Sequence, residues 1–177
     1  MEVGGQTLAE RGAALLRAAG TGPVLVVTGA AQVSLHGVRI VPNPQWRTGM
    51  GSSLRAGLAA LPAGPAAVVI ALVDQPLIGP AVIRRLIAAF RDGAEVAVAS
   101  YRGQPRNPVL IARTHWAAAA SAAEGDSGAR AFLRSHPELV TAVECGDIGR
   151  PDDLDTPADL IRISGLIGAE SSVPNQG

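Results

Sequence analysis

Asp74 is the residue whose position most directly suggests chemistry. It follows Ala66 to Val73, eight consecutive apolar residues that predict a buried strand, so its carboxylate is expected at the rim of a rigid sheet. A hard cation such as Mg²⁺ can bind at such a rim together with phosphate oxygens. An aspartate just before Gln75 and Pro76 is also ordinary turn chemistry. The residues alone therefore leave a metal ligand and a turn cap both open.

A second acidic cluster lies near the end of the chain, where Asp152, Asp153 and Asp155 precede Thr156 and Pro157. If this segment reaches the same rim, Asp155 is a candidate second metal ligand. The cluster also fits a solvated acidic turn at the start of a helix, where the helix dipole favours negative charge. On the residues alone, the turn is the favoured interpretation.

A loop rich in glycine and serine, Gly49 to Leu54, leads into a predicted helix, with Ser52 or Ser53 as its N-cap. Glycines allow a ligand to approach the backbone closely, and a helix start offers unpaired N–H groups to an anion. Many capped loops share this pattern and bind nothing. The loop matches neither the P-loop nor the dinucleotide-binding fingerprint.

The composition excludes several classes of function. Lys and Arg together number 15, as do Asp and Glu, and all the basic residues are arginine, so no lysine is available for catalysis. The zero net charge gives no electrostatic reason to expect nucleic acid or a membrane as partner, and a small-molecule ligand is favoured. The single Cys145 is expected to be a small buried hydrophobe. Without a signal-peptide pattern, the chain is expected to be cytoplasmic.

Strand and helix patterns alternate along almost the whole chain, which predicts an α/β fold. We expect a Rossmann-like three-layer domain over residues 1–168, with a mainly parallel sheet and helices on both faces, followed by a disordered tail over residues 169–177. In such sheets ligands bind at the carboxyl ends of the strands, where both Asp74 and the Gly49 loop are expected. Predicted strands are 23–27, 38–41, 66–73, 94–99, 109–111 and 139–143. Predicted helices are 6–19, 80–90, 115–123 and 157–167, together with one that the Gly49–Ser53 loop opens and that runs to about 61, and one that follows Gly125–Gly128 and ends near 134.

Six short motifs, in this order, resemble the molybdenum cofactor cytidylyltransferase and guanylyltransferase-like family, which has the nucleotide-diphospho-sugar transferase-like fold; Asn43–Trp46 and Gly49–Leu54 count as one of them. The resemblance covers about residues 4–162. The Ser52-Ser53-Leu54 form resembles the cytidylyltransferase branch. The segments are Gly5–Leu8, Asn43–Trp46, Gly49–Leu54, Val73–Pro76, Arg106–Val109, Gly125–Arg130 and Asp153–Pro157.

The resemblance implies that CMP, or GMP, is transferred from an NTP to molybdopterin or the molybdenum cofactor, with release of pyrophosphate. It favours CTP as the nucleotide, a phosphorylated pterin-type acceptor, Mg²⁺ as cofactor, and molybdenum hydroxylase apoenzymes as further partners. Asp74 is then the catalytic residue and a metal ligand, assisted by Asp155. The implied nucleotide-binding residues are Gly51, Ser52, Ser53 and Leu54, and the implied residues on the acceptor side are Arg106, Asn107 and Asp126.

One family element is missing from these residues. Members of the family begin with a strand and a Leu-Ala-Ala-Gly loop that ends in Pro-Lys, and this loop holds the nucleotide phosphates. The resemblance therefore implies a gap in the sheet where the first strand belongs, and little nucleotidyl transfer by residues 1–177 alone. A chain shortened at its start is the favoured explanation, ahead of a degenerate binding domain or a different reaction.

Two other functions stay open. Some relatives resemble nicotine blue oxidoreductases, which implies an NAD(P)H-dependent reductase of a quinone-like pigment. After the strand 23–27, however, the sequence Thr28-Gly29-Ala30-Ala31 carries no G-x-G-x-x-G fingerprint. A non-catalytic accessory protein that binds nucleotide or cofactor is the third possibility.

Overall fold

The computed structural model describes residues 2–3, 5–31 and 33–171. Its helices are α1 (Leu8–Ala18), α2 (Met50–Ala60), α3 (Pro80–Arg91), α4 (Trp116–Ala122), α5 (Arg130–Ser135) and α6 (Pro157–Ser171). Its strands are β1 (Glu2–Val3), β2 (Gln6–Thr7), β3 (Leu25–Thr28), β4 (Arg39–Pro42), β5 (Ala67–Ile70), β6 (Val96–Tyr101), β7 (Gln104–Ala112) and β8 (Val140–Glu144).

The described strands form three separate sheets, the first of which is the antiparallel pair β1 and β2. β3 and β4 pair in parallel, and β5, β7, β6 and β8 form a four-stranded sheet in that order. β6 and β8 are parallel, whereas β7 runs antiparallel to both β5 and β6. The predicted three-layer α/β fold is confirmed, with β7 as the departure from a mainly parallel sheet.

β7 is antiparallel because it follows β6 through a tight hairpin. Arg102 and Gly103, at the turn, have φ values of 53° and 74°, a pair of left-handed residues that suits a two-residue hairpin. The sequence predicted only a short strand over 109–111. Pro105 and Pro108 interrupt the apolar pattern of β7, so its first half was not recognised as a strand.

Helices cover both faces of the four-stranded sheet, and the strand residues alternate between two apolar clusters. One cluster joins Ala97 and Leu110 to α3 residues such as Val82 and Leu86. The other joins alternate strand residues to α2, α4 and α5, with Phe132 fully buried among them. This period-two alternation is what a sheet sandwiched between helices requires. Cys145 is fully buried, as predicted.

Threonine side chains cap the starts of two helices. Thr7 caps α1 in a capping box with Glu10, and Thr156 caps α6 by accepting a 3.2 Å hydrogen bond from the backbone N–H of Asp159. The predicted cap of α2 is wrong, because Gly49 holds the cap position and the two serines lie inside the first turn. The φ of 105° at Gly49 is open to glycine, which makes the sharp entry possible.

The last helix extends farther than predicted. α6 continues to Ser171, and its inner face packs through Ile163 and Leu160 against Val3 and Leu154. Residues 172–177 of the predicted tail lie outside the described residues. Within the described ranges, every helix is too short or too polar to cross a lipid bilayer.

β3 and β5 do not pair with each other. A cavity of about 380 Å³ lies between them, lined by both strands and by residues of α1 and α2. It lies where the sequence resemblance implied a gap in the sheet. Among the described residues β5 pairs only with β7, and its regular pairing ends at Ile70, opposite Val109.

Candidate functional site

Asp74 lies beyond the carboxyl end of β5, in the half-buried position that the apolar run before it predicted. Its Oδ1 atom is buried and has no hydrogen-bond partner among the described residues. The carbonyl oxygen of Asp74 accepts a 2.8 Å hydrogen bond from the backbone N–H of Leu154. That bond ties the acidic turn around Leu154 to Asp74, although 80 positions separate the two in the chain.

The surroundings of Asp74 disfavour a negative charge on its carboxyl. Burial, the largest effect, raises the pKa of Asp74; a hydrogen bond with its own backbone N–H lowers the pKa, and the nearby charges of Asp153 and Asp155 raise it. Gln75 donates a 2.8 Å hydrogen bond from Nε2 to Oδ1 of Asp153, so this second carboxylate already has a protein partner. Asp155 is exposed and forms no hydrogen bond or ion pair within the described part of the chain. A cation would therefore find Asp74 and Asp155 available.

The acidic turn does not form a ready-made metal cage. In the described residues, no group of three or more His, Cys, Asp or Glu side chains could hold a metal ion by itself. Mg²⁺ usually needs one or two carboxylates and takes its other ligands from water and substrate phosphates. Two carboxylates are chemically sufficient for that mode of binding, whereas a closed structural metal site needs more protein ligands.

Asn43 organises the start of α2. Its Nδ2 donates hydrogen bonds to Oγ of Ser52 at 2.8 Å and to Oγ of Ser53 at 3.0 Å, while its Oδ1 accepts one from the backbone N–H of Gln45. Asn43 is only 4% exposed. The segment after β4 and the first turn of α2 are thus held as one rigid unit.

The structure separates the four predicted nucleotide-binding residues into two groups. Gly51 and Ser52 are buried, and Ser52 donates from its hydroxyl to the carbonyl oxygen of Gly49 at 2.8 Å. Ser53 and Leu54 are half-buried and line the cavity between β3 and β5. Only the second group has atoms that face open space.

Two glycines of this segment are explained by packing. A Cβ at Gly51 would lie 2.7 Å from the carbonyl group of Ala123, and one at Gly49 would lie 2.3 Å from the carbonyl group of Gly125. The backbone of α2 therefore approaches the 123–125 segment more closely than any side chain allows. Contact with a nucleotide is not needed to account for these glycines.

The residues predicted on the acceptor side lie near the same end of the sheet. Asn107 is half-buried and lines the cavity together with Ser53 and with Val73, the residue before Asp74. Asp126 is exposed and accepts a long, 3.4 Å hydrogen bond from the backbone N–H of Met50 at the start of α2. Arg106 is exposed on β7.

Sequence reasoning missed two positioning groups. Arg55 donates from its guanidinium to the carbonyl oxygen of Ala123, which joins α2 to the end of α4. Glu144 accepts hydrogen bonds from Ser100 Oγ and from the backbone N–H groups of Arg102, Gly103 and Gly146. Most of these bonds join positions far apart in the chain, so no local pattern could have revealed them.

The fold places the protein in the nucleotide-diphospho-sugar transferase-like class of α/β proteins, which it shares with solved nucleotidyltransferases. Within that class, the chain belongs to the MobA-like NTP transferase domain family, whose model matches residues 1–140. It is a nucleotidyltransferase-like protein, and its predicted resemblance is confirmed at the level of this family.

The chain is also similar to a protein that is named as an oxidoreductase and not as a nucleotidyltransferase. The chain is 36% identical over 172 residues to nicotine blue oxidoreductase of Paenarthrobacter nicotinovorans, an alignment that covers 90% of this chain and 83% of that protein.

Two solved structures from mycobacteria are also similar. One is the Rv0371c homolog from Mycobacterium sp. strain JC1, with a TM-score of 0.81 and 26% identity, covering 96% of this chain and 87% of that one. The other is Rv0371c of Mycobacterium tuberculosis H37Rv in complex with manganese, with a TM-score of 0.70 and 26% identity, covering 91% and 87% of the two chains.

Proposed function

We propose that this protein binds an NTP, with CTP favoured, and that its site serves transfer of the nucleoside monophosphate to a phosphorylated pterin-type acceptor such as molybdopterin. The observation that carries the proposal is the buried, unpartnered Oδ1 of Asp74, close to Asp153 and Asp155. A carboxylate in such surroundings is stabilised by a proton or by a cation. Membership of an NTP transferase family favours the cation.

The proposed metal is Mg²⁺, with Asp74 and Asp155 as its protein ligands. Bound there, a divalent cation would neutralise charge on the triphosphate during displacement at the α-phosphorus. The manganese complex of the mycobacterial structure supports a divalent cation in this fold. The bond between the Leu154 N–H and the Asp74 carbonyl oxygen supports the pairing of the two segments.

The proposed nucleotide contacts are made by Ser53 and Leu54, which face the cavity. Gly51 and Ser52 are also predicted as nucleotide contacts. Because they are buried, they would support the site indirectly by fixing the first turn of α2. Asn43 would position Ser53 through its 3.0 Å hydrogen bond. All four residues thus belong to the proposed nucleotide site, two as direct contacts and two as structural support.

The proposed acceptor side consists of Arg106, Asn107 and Asp126. An exposed arginine suits a phosphorylated acceptor, since its guanidinium can bind phosphate oxygens in a bidentate way. Molybdenum hydroxylase apoenzymes would be the downstream partners, and the cytoplasm the compartment. The first of these rests on the sequence resemblance alone.

Binding and turnover are expected to differ for residues 1–177. The proposed site has a carboxylate that can bind a metal and the start of α2. Residues 1–177 contain no lysine and lack the Leu-Ala-Ala-Gly loop that holds the nucleotide phosphates in the family. Preorganised positive charge at a transferring phosphoryl group accounts for much of the rate in such reactions. We therefore expect CTP and Mg²⁺ to bind with little release of pyrophosphate.

Thermal denaturation with CTP and Mg²⁺, together with a pyrophosphate assay, tests the proposal. CTP at about 100 times its Kd should stabilise the fold by about 2.7 kcal/mol, and Asp74→Ala should abolish this gain. Asp92→Ala, at the exposed end of α3, is the matched control and should keep it. No stabilisation by any NTP with Mg²⁺, or equal stabilisation of Asp74→Ala, would contradict the proposal.

A second candidate is a reductase that uses NAD(P)H, favoured by the 36% identical oxidoreductase relative. The structure offers it little support, because β3 is followed by β4 and not by a helix whose N-terminus could bind a pyrophosphate. Trp46 also covers the turn after β3, since a Cβ at Gly29 would lie 2.8 Å from its side chain. Oxidation of NADH by a quinone-type dye, unchanged by Asp74→Ala, would favour this candidate.

A further inference from the structure

Arg130 is the first residue of α5 and lies at the rim of the cavity between β3 and β5. It is exposed, and the other described residues that line this cavity are uncharged. Ser53 and Asn107, which belong to the two halves of the proposed site, line the same cavity. An exposed cation therefore lies beside the place where the proposed nucleotide and acceptor would meet.

The fold does not use the guanidinium of Arg130. Within the described part of the chain it forms no hydrogen bond or ion pair and lies over no aromatic ring. Other arginines donate to a backbone carbonyl oxygen, pair with an aspartate or lie over a tryptophan. These are Arg17, Arg39, Arg47, Arg55, Arg84, Arg85, Arg113, Arg150 and Arg162. The guanidinium of Arg130 is thus available to a ligand.

The side-chain amide of Asn107 is a second available donor. Asn107 is half-buried, and its side chain forms no hydrogen bond to any residue that the structure describes. An asparagine amide has two N–H donors, and a guanidinium has five. Donors of this number, one set of them charged, suit a negatively charged group with several acceptor oxygens, such as a phosphate.

The backbone of α5 is held at a fixed place relative to α2. A Cβ at Gly49 would lie 2.3 Å from the carbonyl group of Gly125, so the two segments are in close contact. On the other side of Arg130, Phe132 is fully buried and anchors α5 in the core. This packing fixes the backbone of Arg130 relative to Ser53 in α2, and a preorganised site loses less entropy when a ligand binds.

The chain position of Arg130 assigns it to the acceptor side of the site. It follows Asp126 by four positions, whereas the proposed nucleotide contacts lie in α2. Arg106, the arginine already proposed on the acceptor side, is exposed on β7 and is not one of the residues that line the cavity. A phosphate in the cavity would therefore meet Arg130.

We propose that Arg130 is a phosphate-binding residue of the acceptor side, where it binds the terminal phosphate of the acceptor together with Asn107. The assignment of this phosphate to an acceptor rests on the proposed function. The planar guanidinium of Arg130 donates two parallel hydrogen bonds to phosphate oxygens and keeps its charge at neutral pH. The amide of Asn107 donates a further bond to the same group.

Titration with phenyl phosphate, followed by NMR of the backbone amides, tests the assignment. The probe should shift the amide signals of Asn107 and of residues 127–131. Arg130→Ala should raise the Kd of the probe by about tenfold or more, because a charge-assisted hydrogen bond is lost. Arg130→Lys keeps the charge without the bidentate geometry and should restore part of the affinity. Arg134→Ala, exposed on the same helix and outside the cavity lining, is the matched control and should leave the Kd unchanged.

The assignment is overturned if phenyl phosphate does not bind, or if it binds Arg130→Ala as tightly as the unaltered protein. A loss of CTP affinity in Arg130→Ala as large as its loss of phenyl phosphate affinity would also overturn it, because Arg130 would then belong to the nucleotide side. CTP binding distinguishes these failures from a failure of the proposed function. If phenyl phosphate binding depends on Arg130 but no NTP stabilises the protein, the phosphate site is supported and the proposed function is contradicted.

Discussion

At the scale of single residues, Asp74 is expected to limit the stability of the metal-free protein. Burial raises its pKa, so the folded state holds the proton to a higher pH than the unfolded chain does. Ionisation therefore costs folding free energy as the pH rises above the unfolded value of about 3.9. At pH 7 without metal, Asp74→Asn should raise Tm by roughly 2 °C.

The same substitution should have the opposite effect once a divalent cation is present. Mg²⁺ or Mn²⁺ should raise the Tm of the unaltered protein in the presence of CTP. The Tm of Asp74→Asn should not change, because the neutral amide lacks the negative charge that binds the ion. Asp92→Asn serves as control and should follow the unaltered protein in both conditions. A lower Tm for metal-free Asp74→Asn at pH 7 would argue for a structural turn cap.

Single residues also define how much of the site the sequence could predict. Asp74 was predictable, because eight apolar residues before a carboxylate fix it at the edge of a strand. The burial of Ser52 was not, since its partner Asn43 lies nine positions away and a serine in a loop looks the same whether it faces solvent or protein. The type of a residue indicates which chemistry its side chain can do, whereas tertiary packing decides whether a ligand can reach that side chain.

At the scale of elements, the start of α2 depends on its close approach to the 123–125 segment. Gly51→Ala would place a Cβ 2.7 Å from the carbonyl carbon and oxygen of Ala123, which forces the two backbones apart. We expect the free energy of unfolding to fall by about 1–3 kcal/mol, as for other overpacked sites. Urea denaturation measures the change.

Gly64→Ala is the matched control for that experiment. A Cβ at Gly64 meets no atom within 4 Å, so the substitution should be neutral or slightly stabilising. Comparable losses for the two variants would mean that the contact with Ala123 does not limit the stability of α2.

Glu144 links the β6–β7 hairpin to the end of β8. Four hydrogen bonds, the first of them from Ser100, lower the pKa of Glu144 to about 2. A carboxylate with a lowered pKa stabilises the fold above its unfolded pKa and loses that contribution as the pH falls toward the folded value. Glu144→Gln should therefore lower Tm at pH 7, and the difference should shrink between pH 4.5 and about 2.

Thermal denaturation across that pH range checks the role of Glu144. Glu138→Gln, an exposed glutamate before β8, is the control and should show no such pH-dependent difference. If the difference in Tm between Glu144→Gln and the unaltered protein stays constant down to pH 2, ionisation of Glu144 is not its cause.

The elements themselves were mostly predictable, because each helix and central strand carries its own apolar period and its own Gly or Pro boundary. β7 was the exception. Its antiparallel direction is decided by the Arg102–Gly103 turn, and its prolines conceal a strand that is held by neighbours on both edges. Tertiary pairing outweighs local propensity at this position.

At the scale of the whole molecule, the cavity divides the sheet into parts of unequal stability. β6 and β7 each have a paired neighbour on both edges, whereas β3 and β4 form only a two-stranded pair among the described residues. Two strands alone are marginally stable in water and depend on the helices that cover them. The β3–β4 unit should therefore open without global unfolding.

Native-state hydrogen exchange can measure this opening. The amides of Leu25–Thr28 should exchange about a hundredfold faster than those of Val96–Tyr101, which corresponds to an opening free energy lower by about 2.7 kcal/mol. The opening of β3 should also depend weakly on urea, because it exposes only part of the surface that global unfolding exposes. Equal exchange rates and equal urea dependence in β3 and β6 would show that the helices α1 and α2 already join the two parts into one cooperative unit.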